Sequence, residues 1–413
     1  MMFPTRRWIL ACTLLILTGM LFAQPPEAGT PPTTATKESF DTATLSPLAR
    51  AYYVTAWRSA EWLWQANRPD GTFVPGFNPA MNQPVADAGY LTQTAAAASL
   101  ARSARVLNSP RLAVRARQTL LVLLASTKQD PQDPKQRFTM MPAATVNRTA
   151  SAALLVQAIY ELPDPTPDLV EQAEQLMGYL RTLQQPDGSF ATGEAGDAMR
   201  NATYQAWSVA ALAASHARQP HAWKTAALSA AFGYYRSRWQ TQCPANTLPV
   251  LMEALVTTCL RTNDKTLAPM VLEMADFIMR LQFPENTAHP AWQGGFAGWR
   301  QGQVVAEEPT TESAHFVAAL CQAVRIAKFA GDETRAERYR AAAERGLAFL
   351  ISMHYTEANT KHFAEWYRGQ VIGAFACAPG NGTVRLENCQ AGVTAFARYV
   401  EDVLEIKPSR AQP

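Results

Sequence analysis

Glu312 and His315 stand three residues apart at the start of an apolar run, TESAHFVAALCQAVRIAKFA. On a helix that spacing puts both side chains on one face. A carboxyl group there, with apolar residues behind it excluding water, could carry a raised pKa and donate a proton, and the imidazole could accept one. Glycoside hydrolysis needs a second carboxylate, and Glu307 and Glu308 lie just upstream. Arg385 with Glu387, and Arg200 with Asp197, put guanidinium groups where they could clamp a uronate or sulfate. Tyr90 could move a proton in a β-elimination. Asp87, Gln205 and Gln390 add polar contacts, and Trp292 and Trp299 offer faces for sugar rings.

Each of these residues also has a plainer reading. Glu312 would cap its helix while His315 packs inside. Glu307 and Glu308 would be solvated loop residues, and the arginine pairs would be surface ion pairs. Tyr90 would be packing. No C-x-x-C pair and no His/Cys ligand spacing occurs, so neither a metal nor an organic cofactor is implied. A carboxylate-bound calcium at the same place stays open.

The elements that must position these residues repeat. A glycine turn, a polar loop and an apolar helix recur from Asp70 (DGTF), Asp187 (DGSF), Gly294 (GGF) and Gly373 (GAF). About twelve segments carry apolar residues at i, i+3, i+4 and i+7. They lie near 46–66, 88–106, 110–127, 147–161, 166–185, 199–217, 221–241, 247–262, 264–282, 310–330, 332–354 and 386–404. Ser46-Pro47, Ser109-Pro110, Thr166-Pro167 and Asp332-Glu333 read as helix starts. Wet-faced helices alternate with Ala-rich ones that are apolar nearly all round. Links from Ala-rich helices to the next wet-faced one are short, roughly two to five residues, and the reverse links are long, roughly 12 to 30. The long loops therefore gather at one end. The expected fold is all-α, an (α/α)6 toroid of six helical hairpins, with an open solenoid as the rival.

Gln65-Ala-Asn-Arg-Pro-Asp-Gly-Thr-Phe and Leu183-Gln-Gln-Pro-Asp-Gly-Ser-Phe resemble the glutamine/aromatic repeats of terpenoid-cyclase and prenyltransferase toroids. The turns at Phe296 and Phe375 resemble those of polysaccharide-acting toroids, including the six-hairpin glycosidase group and glucuronyl C5-epimerase-like domains. The resemblance spans 46–404 and implies the fold rather than the reaction. The Asp-x-Asp-Asp acid, the Asp-rich metal motif, the prenyltransferase zinc set and the Cys-Gly-Glu-Gln thioester are all absent.

At the N-terminus, Arg6 and Arg7 precede an apolar stretch from Trp8 to Phe22, and Leu21-Phe-Ala before Gln24 fits a cleavage site. The expected domains are a signal peptide (1–23), a Pro/Thr-rich linker (24–45), the toroid (46–404) and a tail (405–413). Export to the periplasm or outside follows, with no membrane contact after cleavage; an uncleaved N-terminal anchor is the alternative. A net charge of +3 gives no nucleic-acid footprint. Cys377 and Cys389 could pair in an oxidising compartment, while Cys259 and Cys321 read as buried thiols. The residues above point first to an exported hydrolase or uronate lyase acting on a polysaccharide or oligosaccharide. A non-catalytic toroid binding glycan, peptide or a partner, and a terpenoid-type protein with a dry central cavity, remain alternatives. Nothing in the sequence indicates an oligomeric state.

Overall fold

The computed structural model describes residues 42–406 apart from 194–195, 243–244, 286–287 and 301. The expected signal peptide, nearly all of the linker and most of the tail lie outside the described residues. Helices begin where the sequence provides caps. Ser46, Ser109, Asn147, Asp197 and Asp332 each accept a hydrogen bond from the backbone N–H three residues on. Thr166 precedes Pro167 as expected, but its side chain makes no capping bond.

Twelve of the helices make the hairpins. The outer ones are α1 (Pro47–Ala66), α3 (Pro110–Leu124), α5 (Pro167–Thr182), α7 (Ala222–Arg236), α10 (Ala268–Arg280) and α12 (Glu333–Ser352). The inner ones are α2 (Tyr90–Val106), α4 (Arg148–Glu161), α6 (Ala198–Arg218), α9 (Leu248–Thr262), α11 (Ser313–Ala330) and α14 (Leu386–Arg398). Two short helices, α8 (Trp239–Gln242) and α13 (Glu365–Val371), sit in long loops. Each inner helix packs on the next, and α14 returns to α2, so the ring closes and the open solenoid is excluded. Each inner helix also lies against the outer helix that follows it, and α14 lies against α1, the first in the chain.

The all-α expectation needs one addition, a set of short strands. Strands β1 (Gly76–Asn78) to β8 (Asn381–Arg385) are short, but they organise the long loops. A four-stranded sheet, β2-β1-β8-β7, joins the first long loop to the last, with β2 at Gln83–Pro84 and β7 at Ala376–Ala378. It seals the seam of the ring at the loop-bearing end. The hairpins β3–β4 (Thr127–Gln129, Arg137–Thr139) and β5–β6 (Gly298–Arg300, Gln303–Val305) are built within single loops.

The repeated glycine turns are structural staples. Gln184 Nε2 donates to the Ala227 carbonyl on the next outer helix at 2.8 Å. Gln282 Nε2 does the same to Ala342 at 2.9 Å, and Asn67 Nδ2 to the Thr119 hydroxyl at 2.8 Å. Gly188 and Gly294 have φ of +92° and +83°. A Cβ there would run into the carbonyl oxygens of Ala230 and Arg345, so conformation and contact both require glycine. In the last copy the amide is replaced by His354, whose backbone bridges Phe375.

Candidate active site at the mouth

The end where the inner helices begin is a mouth walled by the long loops. Helix N-termini aim free N–H groups into it. Glu312 occupies the N-cap position of α11, yet its side chain makes no capping bond; the exposed carboxylate has no hydrogen-bond or ion-pair partner among the described residues. His315, one turn on, is exposed, and its pKa is lowered by desolvation against a smaller upward pull from Glu312. The imidazole is therefore neutral at neutral pH.

Glu387 lies in the first turn of α14, the inner helix beside α11. Arg385 stands 3.5 Å from it. A staple sets the two helix starts side by side. The Thr311 N–H donates to the Cys377 carbonyl at 2.9 Å, and its hydroxyl donates to the Ala376 and Cys377 carbonyls. Strand β7 then pairs with β8, which runs straight into α14. The outcome registers on the Cys377 thiol: burial raises its pKa, Arg385 opposes this, and Glu387 and Glu312 both add to the rise. Glu312 with His315, and Arg385 with Glu387, thus stand at the starts of two adjacent inner helices, and this is the mouth constellation. Gln390, one turn below Glu387, accepts from the Ser99 hydroxyl at 3.0 Å and ties α14 to α2.

A cleft of about 420 Å³ opens beside Glu312. Glu307, Glu308, Trp299, Phe316 and Asn246 line it. Trp299 is fixed edge-on against Phe277, with ring centroids 5.0 Å apart. The two loop glutamates have other partners. Arg300 donates to both Glu307 oxygens at 3.1 and 2.9 Å, and the Gly380 N–H donates to Glu308 at 2.9 Å. They shape the rim of the cleft.

The structure moves several expected residues away from this cluster. Gln205 turns outward and accepts from the Tyr235 hydroxyl of α7 at 3.4 Å. Position 205 lies off the helical face of α6 that carries Ala210, Ala214 and Ala217, which line a cavity shared by the inner helices. Tyr90 donates to the Leu123 carbonyl at 2.9 Å, and burial pushes its pKa up, so its hydroxyl is packed rather than poised. Trp292 stacks on His289 at 4.0 Å and is not among the residues lining the cleft. Arg200 pairs with Asp197 at 3.2 Å, and both are exposed. Asp87 is exposed before α2, and no contact joins it to Glu312 or Glu387. Cys377 and Cys389 are separate free thiols rather than a disulfide. Cys377 donates to Asn388 Oδ1, and Cys389 bonds with the Phe375 backbone. Among the described residues no His, Cys, Asp or Glu cluster could hold a metal ion, and no helix is long and apolar enough to cross a membrane.

No protein-family model matches the chain, and no curated protein matches it. Solved structures do. An unsaturated glucuronyl hydrolase specific for heparin aligns at 13% identity, over 87% of this chain and 98% of its own, with a TM-score of 0.56. An α-1,6-mannanase from a Salegentibacter species aligns at 11% identity, over 84% and 98%, with a TM-score of 0.58. A polysaccharide lyase aligns at 12% identity, over 88% and 99%, with a TM-score of 0.58. At such identities the likeness establishes architecture alone. With the closed ring of hairpins described above, it makes this chain an (α/α)6 toroid.

Proposed function

We propose that the protein is an exported enzyme that hydrolyses a polysaccharide at the mouth of the toroid. The observation that carries this is the placement of two carboxylates at the starts of neighbouring inner helices, Glu312 at the N-cap of α11 beside an aromatic-walled cleft and Glu387 in the first turn of α14. Their surroundings differ. Glu387 has a guanidinium beside it, and Glu312 faces a neutral imidazole. The different neighbours divide the two roles that glycoside hydrolysis needs. Glu312 is thus the proton donor to the leaving oxygen, and Glu387 activates water or attacks the sugar carbon. The similar structures include two hydrolases of sugar polymers, which supports the substrate class as an analogy.

One observation favours a second reading, β-elimination from a uronate. His315 is neutral and open to the mouth, as a base needs to be, and Arg385 could neutralise the uronate. The two chemistries separate in one assay of the exported chain on neutral and acidic polysaccharides. New reducing ends without ultraviolet absorbance mark hydrolysis, and an unsaturated uronate absorbance mark elimination. Under hydrolysis, Glu312→Gln and Glu387→Gln each lower turnover about a thousandfold. Under elimination, His315→Ala does, and the acid limb of the rate profile falls below the ordinary histidine range. Full activity in all three variants would remove the mouth constellation from the chemistry.

A further inference from the structure

A second cleft opens at the mouth, about 530 Å³ against the 420 Å³ beside Glu312. It is built from the last long loop, the β7–β8 turn and Asn78 to Ala80 of the first loop. The rings of Phe363 and Tyr367 lie nearly parallel, 5.5 Å apart and 25° between planes. Tyr355 and His362 pack on Phe363, and all four rings line the cleft. Trp366, 67% exposed, stands edge-on to Tyr367.

Polar groups border these rings and are left unused. The Tyr367 hydroxyl and the His362 ring have no hydrogen-bond partner among the described residues. Asn78 and Asn381 each accept one backbone N–H through Oδ1, and their Nδ2 groups donate to nothing described. An apolar ring face edged by amides and a hydroxyl matches a pyranose, which has an apolar face and a hydroxyl rim. A purely hydrophobic partner would leave these polar groups buried and unpaired.

The two clefts share a wall. Glu308, which lines the first, accepts from the N–H of Gly380, which lines the second. We propose that the Tyr355–Phe363–Tyr367 cleft is a distal sugar subsite, and that one glycan chain crosses the Glu308–Gly380 contact to occupy both clefts. This rests on the hydrolase reading for its direction, but sugar binding at the cleft can be tested without turnover.

The test is affinity electrophoresis of the full chain in gels holding soluble mannan, polygalacturonate or heparin, beside kinetics on the polymer and its disaccharide. Tyr367→Ala is the first variant. Tyr367 also packs on Phe77, so the exposed His362→Ala is the second. The expected result is that both weaken binding of one polymer about tenfold and raise its KM alike. Disaccharide kinetics stay unchanged, and Glu312→Gln still binds. Polymer binding by wild type without turnover, weakened in both variants, would retire the hydrolase reading and keep the subsite. Wild-type binding by both variants, equal losses on disaccharide and polymer, or no retardation by any of the three polymers would overturn the subsite.

Discussion

The two ends of the same six inner helices treat their carboxylates in opposite ways. At the mouth, Glu312 is left without a partner and Glu387 has one long contact with Arg385. At the far end, where the inner helices finish, the carboxylates are locked. Arg102 bridges Glu161 and Glu253 at 2.6 and 2.5 Å, and Arg105 bridges Glu161 and Glu401 at 2.7 and 2.5 Å. Arg398, buried among them, contacts Glu253, Glu401 and Asp402. Burial works against the charge on Glu161, but its three arginines hold it well below the usual carboxylate range. Glu401 is likewise held down, to about 2. Arginines suit helix C-termini, as carboxylates suit N-termini. The far end is therefore an ionic floor whose charges pair with one another around a cavity of about 360 Å³, while the mouth keeps charges that a ligand can use.

The largest effect should come from the mouth. Glu312→Gln is expected to lower kcat about a thousandfold, within the usual span for a proton-transferring group, with no loss of thermal stability. Glu387→Gln should do the same. If either variant unfolded early and kept its specific activity, the contrast between the ends would fail. At the floor the signs reverse. Arg398→Met leaves Glu253 with Arg102 alone and Asp402 with Arg325 alone, and should cost up to about 3 kcal/mol of stability, below the full loss of a buried pair because each carboxylate keeps one arginine. Denaturant melts measure this, and turnover per folded molecule should hold.

The glycine turns give a smaller and pH-dependent version of the same contrast. Three copies use an amide, and the fourth uses His354, whose Nε2 is buried without a partner. Burial, with Arg58 adding to it, pushes its pKa down to about 4 from the ordinary 6.5. The unfolded chain then binds the proton more readily, so stability is complete above pH 6.5 and drains away as pH falls towards 4. The full difference is about 3 kcal/mol. His354→Gln restores the amide of the other copies and should flatten that dependence while leaving neutral stability within about 1 kcal/mol. Melting curves at pH 4.5 and 7.5 decide this, and an unchanged acid slope would assign it elsewhere.

What the sequence shows plainly is local. Ser46, Ser109 and Asp332 cap where their neighbours in the chain said they would. The glycine turns and unequal loops placed the mouth, because loop length and backbone conformation are properties of short stretches. The site needed distant information. The start of α14 is set beside that of α11 only because the ring closes and Thr311 is tied to Cys377, 66 residues away. Glu308 is tied to the N–H of Gly380, 72 residues on, a partner that its own stretch of sequence does not reveal. Gln205 could have been sorted by phase alone, since it is off the face of α6 that Ala210, Ala214 and Ala217 share. The Cys377–Cys389 pairing failed for a similar reason. One cysteine lies on a strand and the other on a helix face, and each is already hydrogen-bonded.

The smallest effect separates paired from unpaired carboxylates within the mouth itself. Glu307 lines the same cleft as Glu312 and differs in having Arg300 on both oxygens. The guanidinium is 67% exposed and the carboxylate 44%, so water screens the pair, and losing it should cost less than about 1 kcal/mol. Glu307→Gln keeps the shape and one of the two acceptors. Turnover should stay within about threefold of wild type, with any change appearing in KM as the rim loosens. A thousandfold loss of kcat would mean that Arg300 releases Glu307 when substrate binds, and the base would move from Glu387 to the loop. Two glutamates a few residues apart, of equal chemistry and unequal partners, thus make the most direct test of whether partnership decides which carboxylates work.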